Sequence, residues 1–215
     1  MGQFYEGTVN WASGKTFELP RGQWEMIGKL RWQVGVITYA GYTLVQQEEG
    51  TLKGMIELTG MDSAAKWKAD VDIFVYEAFF SNKTDGCYER SEYYLVKVYF
   101  RGASFNCFKV GHLDPQKETY NPDRNTVTYS SFNTAAFRKW VAEKNIKLPP
   151  IMLYSYHLFY APPVNNWLVG SAIAIDPEFY GSPKTKFGTE PRIQLNDSFK
   201  LASDIQEFVA AKREA

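Results

Sequence analysis

The sequence is short of the residues that enzyme chemistry uses most. Its 215 residues include only two histidines and two cysteines, and 24 Lys+Arg balance 24 Asp+Glu. Each shortage excludes something. A structural zinc site wants four ligands, and Cys87 and Cys107 supply two outside any C-x-x-C motif. The zero net charge and pI near 6.7 remove the basic footprint of a general nucleic-acid binder. No apolar run approaches the ~20 residues that a membrane-spanning helix needs, and the mean hydropathy is −0.35. No G-x-S-x-G, G-x-G-x-x-G, Walker A, H-E-x-x-H or calcium-loop spacing occurs. The expectation is no metal, no cofactor, no nucleic acid and no membrane span.

What the chain has in quantity is aromatic surface: 14 Tyr, 15 Phe and 6 Trp. Strands select such residues, and aromatic pairs stabilise neighbouring strands. Alternation of apolar and polar residues is the strongest pattern. In 24–32, Trp24, Met26, Leu30 and Trp32 share one face against Glu25, Lys29 and Arg31, with Ile27 an exception. The preceding Leu19-Pro20-Arg21-Gly22 reads as a turn. Segments 42–49 and 51–59 suit a hairpin joined at Glu49-Gly50, with Leu52, Ile56 and Leu58 facing one way and Lys53 and Glu57 the other. Further strands are predicted at 67–80, 93–102, 105–113, 152–160 and 167–175.

Two stretches read as amphipathic helices. Segment 134–145 puts Phe137, Trp140 and Val141 on one stripe, with Asn133 or Thr134 as N-cap and Lys147-Leu148-Pro149-Pro150 as terminator. Segment 198–212 spaces Leu201, Ile205, Phe208 and Val209 at i, i+4, i+7 and i+8. Between strands and helices, 114–133 reads as a long surface loop. The resulting expectation for 1–215 is a single α+β domain. A large twisted antiparallel sheet or two-sheet sandwich of about nine strands carries two packed amphipathic helices.

Candidate chemistry is sparse. His112 has Asp114 two residues on, a spacing in which a carboxylate can orient an imidazole as general base. Cys107 lies five residues upstream of His112, so in extended chain the two point to opposite faces, against a Cys–His dyad. Ser155 and His157 share a strand face but stand ~6.5–7 Å apart, too far for a direct bond. Asp70 and Asp72 share a face that reads as solvated. Tyr154, Tyr156 and Tyr160 share a strand face and offer an aromatic groove for a ligand, the structural alternative being a helix packed over them. Cys87 lies in a polar turn and Cys107 in an apolar run. A bridge between them would close ~20 residues and contribute about 3 kcal/mol in the chain-entropy model, the alternative being two unrelated thiols.

Several phrases resemble a class of uncharacterised bacterial exported proteins. They are Leu19-Pro20-Arg21-Gly22-Gln23-Trp24, Asn106-Cys107-Phe108-Lys109-Val110-Gly111-His112, Arg138-Lys139-Trp140-Val141 and Lys147-Leu148-Pro149-Pro150-Ile151-Met152-Leu153. The resemblance implies a periplasmic or secreted location and carries no activity. Residues 1–6 lack the basic start and apolar stretch of a signal peptide, so export implies a leader already removed, and a cytoplasmic location stays open. Two functions follow. The first is a non-enzymatic exported domain that binds a small molecule or protein partner through aromatic surface. The alternative is a hydrolase with a site built from distant residues around His112 and Asp114.

Overall fold

The computed structural model describes residues 2–11, 14–34, 37–63, 94–100, 104–120, 134–161 and 167–183. The described chain is mostly antiparallel sheet. Its strands are β1 (Gln3–Tyr5), β2 (Thr8–Trp11), β3 (Lys15–Glu18), β4 (Trp24–Val34), β5 (Ile37–Glu48), β6 (Thr51–Ser63), β7 (Tyr94–Phe100), β8 (Ser104–Leu113), β9 (Met152–Ala161) and β10 (Trp167–Ile175). Eight of them form one sheet in the order β1-β4-β5-β6-β10-β9-β8-β7, while β2 and β3 form a separate hairpin. The helices are α1 (Pro115–Tyr120) and α2 (Ala135–Glu143).

The two faces of the sheet are covered differently. The β2–β3 hairpin lays Val9 and Trp11 on a cluster formed by Trp24, Met26, Ala40, Tyr42, Leu44, Ile56 and Leu58. On the opposite face, α2 sets Phe137, Trp140 and Val141 against Ile27, Val45, Leu52, Met55, Met152 and Ala174. The order is hairpin, sheet, helix, so central strands are apolar on both sides.

Local signals set the connections. The β5–β6 turn has Glu49 at φ 49° and Gly50 at φ 71°, and both central residues of a type I′ turn need positive φ. Thr134 Oγ1 accepts from the Phe137 N–H at 3.1 Å and caps α2. The helix ends at Asn145 (φ 49°), where the Ile146 N–H donates to the Val141 carbonyl and the Asn145 N–H to that of Ala142. This left-handed cap stops the helix before the Lys147-Leu148-Pro149-Pro150 run can. The chain after it pairs with the start of β6 through Leu52 N–H to Lys147 O and Lys147 N–H to Gly50 O.

β4 departs from the simple alternation. Its pairing with β5 runs Met26 to Leu44 and then Gly28 to Thr43, leaving Ile27 as an extra residue in a bulge. Beyond the bulge the faces exchange. Trp24 and Met26 face the hairpin, Ile27 faces α2, and Leu30 and Trp32 then lie on the helix-side face while Lys29 and Arg31 take the hairpin side. The expected common face of Trp24, Met26, Leu30 and Trp32 is therefore corrected. A second irregularity, between Gln46 and Gln47, moves Leu52 to the helix-side core, away from Ile56 and Leu58.

Glu25, expected on a solvated face, is buried beneath α2. Its carboxylate accepts from Trp140 Nε1 at 3.0 Å and from Lys144 Nζ at 2.9 and 2.8 Å. Burial of a carboxylate is tolerated because it is paired and hydrogen-bonded. The expected 114–133 loop opens instead with α1, and the expected strand 67–80 and helix 198–212 lie outside the described residues. The described residues hold ten strands and the helices α1 and α2, so the expected count of about nine strands with two amphipathic helices is not confirmed among them.

Trp24 is fully buried and donates through Nε1 to the Pro20 carbonyl at 2.9 Å, which ties the turn before β4 to the core. A Cβ on Gly54 would stand 2.5 Å from the Trp24 ring, so this strand glycine makes room for the indole. Gly54→Ala is expected to cost roughly 2 kcal/mol through overpacking. The check is urea unfolding, with a lowered midpoint at unchanged slope.

Candidate functional site

Of the candidate acid–base pair, His112 is exposed and Asp114 is half-buried. Asp114 Oδ1 accepts from the Gln116 N–H at 2.9 Å, an N-cap contact at the start of α1 with Pro115 at the first helical position. The His112 side chain is exposed on the sheet's hairpin side, opposite Leu153 of β9. Cys107 pairs with Leu158 on the other face and is fully buried, so the Cys107–His112 separation expected from spacing is present. Its expected partner Cys87 lies outside the described residues, as do Asp70 and Asp72. His157 packs edge-on to Phe108, with ring centroids 6.0 Å apart. No group of three or more His, Cys, Asp or Glu side chains among the described residues is arranged to hold a metal ion.

The tyrosine face is corrected as an open groove. Tyr154 packs against the cluster beneath α2, and Tyr156 is 5% exposed. Both belong to the face that the helix covers, where a residue two positions away along β9, Met152, is fully buried. The side chain of Tyr160 lies outside the described residues.

A polar cluster that sequence spacing gave no reason to group sits at one end of the sheet. The Tyr180 hydroxyl donates to Gln46 Oε1 at 3.1 Å, and Gln46 Nε2 donates to the Arg21 carbonyl at 3.1 Å. The Arg21 guanidinium lies 5.3 Å from the Tyr180 ring centroid and donates to the Phe179 carbonyl. Lys53 Nζ bonds Asp176 Oδ2 at 2.9 Å and lies 5.6 Å from the Phe179 ring centroid. Gly22 at φ 101° allows this, since a Cβ there would meet the Gln46 amide at 2.0 Å. The contacts bind the turn after β10 to the turn before β4, 158 residues apart in sequence at Arg21 and Phe179. These contacts pair the polar groups of the cluster with one another and fix the two turns.

The exposed surface of most interest is the outer side of β4, away from β5. β1 pairs only with Trp24, Glu25 and Met26. Among the described residues no strand pairs residues 28–32 on that side. Lys29, Leu30, Arg31 and Gln33 are all exposed, although they alternate between faces. Leu30 is 64% exposed, one of two large exposed apolar side chains among the described residues, the other being Phe4 of β1. Trp32 stacks on Tyr39 at 5.5 Å and 14° and lies over Gly41. Lys29 Nζ stands 5.0 Å from the Tyr42 ring centroid, and Arg31 pairs with Asp62. Lys15 Nζ donates to the Met61 carbonyl at 3.1 Å beside the same Asp62. Burial lowers its pKa below the usual lysine value, and Asp62 opposes the shift. Arg31 and Lys15 thus lie near one carboxylate, with Lys29 on the same side of the sheet.

No protein-family model, no characterised protein and no solved structure matches the chain. No described helix is long and apolar enough to cross a membrane.

Sequence reasoning missed the edge because it placed Leu30 in the core with Trp24. The signal was Ile27, the one residue that broke the alternation.

Burial pushes the Tyr180 phenol up from 10 to about 12, with the Arg21 charge opposing. A raised folded-state pKa means the neutral phenol is favoured in the fold. That contribution is complete below pH 10 and is lost as pH rises through 10 toward 12. Tyr180→Phe is expected to flatten the fall in urea midpoint between pH 9.5 and about 12 relative to the parent protein.

Proposed function

We propose that the chain is an exported, non-enzymatic domain that binds a partner protein, and that the outer edge of β4 is its binding surface. The observation that carries this reading is the run of exposed residues 29–31 and 33 on both faces of an edge strand, centred on Leu30. Edge strands offer unpaired N–H and C=O groups, and partner chains add to them. The Asp114 contact at the start of α1 and the exposure of the His112 side chain support binding over the hydrolase alternative. Export is supported by the family resemblance. The expected Cys87–Cys107 bridge would suit an oxidising compartment.

The test places a photo-crosslinking residue at position 30 of the full chain in the organism that encodes it. Discrete protein adducts from position 30, and none from the exposed helix position 139, are expected. The parent protein is expected in the extracytoplasmic fraction with no thiol reactive before reduction. Two reactive thiols would remove the bridge. Hydrolytic activity abolished by His112→Ala, with no adduct from position 30, would replace this reading by the hydrolase.

A further inference from the structure

The side chains along the β4 edge specify what kind of strand it accepts. Beyond the bulge, Lys29 and Arg31 project to the hairpin side, and Leu30 and Trp32 to the helix side. Alternate residues of an extended chain recur every ~6.5–7 Å on one face, so an added strand would set two of its side chains beside Lys29 and Arg31 and its intervening ones beside Leu30 and Trp32.

The hairpin side of the edge carries the exposed cations Lys29 and Arg31. Arg31 pairs with Asp62 and Lys15 lies near the same carboxylate, while Lys29 stands over the Tyr42 ring. Cation–π contact and the ion pair hold Lys29 and Arg31 in place but leave both exposed, the Arg31 side chain by 64%. The helix side offers an exposed aliphatic side chain next to an indole that is stacked on Tyr39.

We infer that the β4 edge binds an extended segment of a partner protein in which acidic residues alternate with apolar ones, added antiparallel to β4 over residues 28–32. This inference rests on the partner-binding reading and names the chemistry of the partner. A second copy of the chain is a poorer occupant. An antiparallel β4–β4 pair related by a two-fold axis brings Lys29 and Arg31 of one copy against the same residues of the other, and like charges directly opposite are destabilising. The same two cations therefore bar self-pairing, as edge lysines commonly do, and select an acidic strand.

The experiment uses the full chain and three labelled seven-residue peptides. One alternates Val and Asp, one alternates Val and Lys, and one is the Val/Asp peptide with N-methylated backbone amides. Fluorescence anisotropy measures binding, and amide hydrogen exchange reads residues 28–32. The Val/Asp peptide is expected to bind at least about tenfold tighter than the Val/Lys peptide, to lose affinity with added salt, and to protect amides within 28–32. N-methylation is expected to abolish binding. Lys29→Glu with Arg31→Glu is expected to reverse the preference. If that variant does not fold by thermal melting, Lys29→Gln with Arg31→Gln is expected to remove it.

Equal binding of the acidic and basic peptides overturns the inference. So does absence of binding, which leaves the cations as guards of the edge alone, and so does acidic binding without protection at 28–32. Self-association in sedimentation that Leu30→Lys abolishes would make a second copy the occupant. Adducts from position 30 in cells together with failed peptide selectivity would leave the partner-binding reading standing and remove only this inference.

Discussion

The bulge at Ile27 is the constraint on which the rest of the described architecture turns. Before it, β4 commits Trp24 and Met26 to the hairpin-side core. At it, Ile27 enters the opposite core beneath α2. After it, the cationic residues stand where the large apolar ones had been. One inserted residue lets a single strand serve two cores and then present a mixed surface. Because side chains alternate with a period of two, nothing short of such an insertion exchanges the faces.

Two anchors keep β4 in that register. On the hairpin side, the Trp24 indole fills the space above Gly54 and ties back to Pro20. On the helix side, Glu25 receives three hydrogen bonds from Trp140 and Lys144. Adjacent residues of one strand are thereby held from opposite faces. Removing the carboxylate would leave the Trp140 donor unsatisfied and free Lys144, an effect of about 2–3 kcal/mol for a group of this kind. The Arg21–Phe179 and Gln46–Tyr180 contacts add a third restraint at the end of the sheet.

Much of the sheet was legible because its signals are local. The Glu49-Gly50 turn needs only two residues that tolerate positive φ, and it joins β5 to β6 where the sequence placed it. The stripe of Phe137, Trp140 and Val141 and the Thr134 cap define α2 within a few residues. β10 runs from Trp167 to Ile175 as its alternation indicated. The short strands β1, β2 and β3 were missed, since three or four residues carry too little periodicity to register. Candidate-site reasoning fared worse. Spacing relates Asp114 to His112, whereas its contact to the Gln116 N–H at the start of α1 appears only in the structure. Tyr154 and Tyr156 share a face on any reading of β9, but whether that face meets solvent or α2 is a long-range matter.

The sequence by itself determined that the chain is rich in antiparallel strands, where the central hairpin turns, and which stripe of α2 is apolar. Those outcomes follow from backbone preferences and side-chain periodicity within a dozen residues. The tertiary structure alone decided that Glu25 is buried, that Leu30 is exposed and that the tyrosine face lies against the helix-side core. Each depends on which distant element covers a given face, and a one-residue bulge reassigns those faces without any change in local propensity.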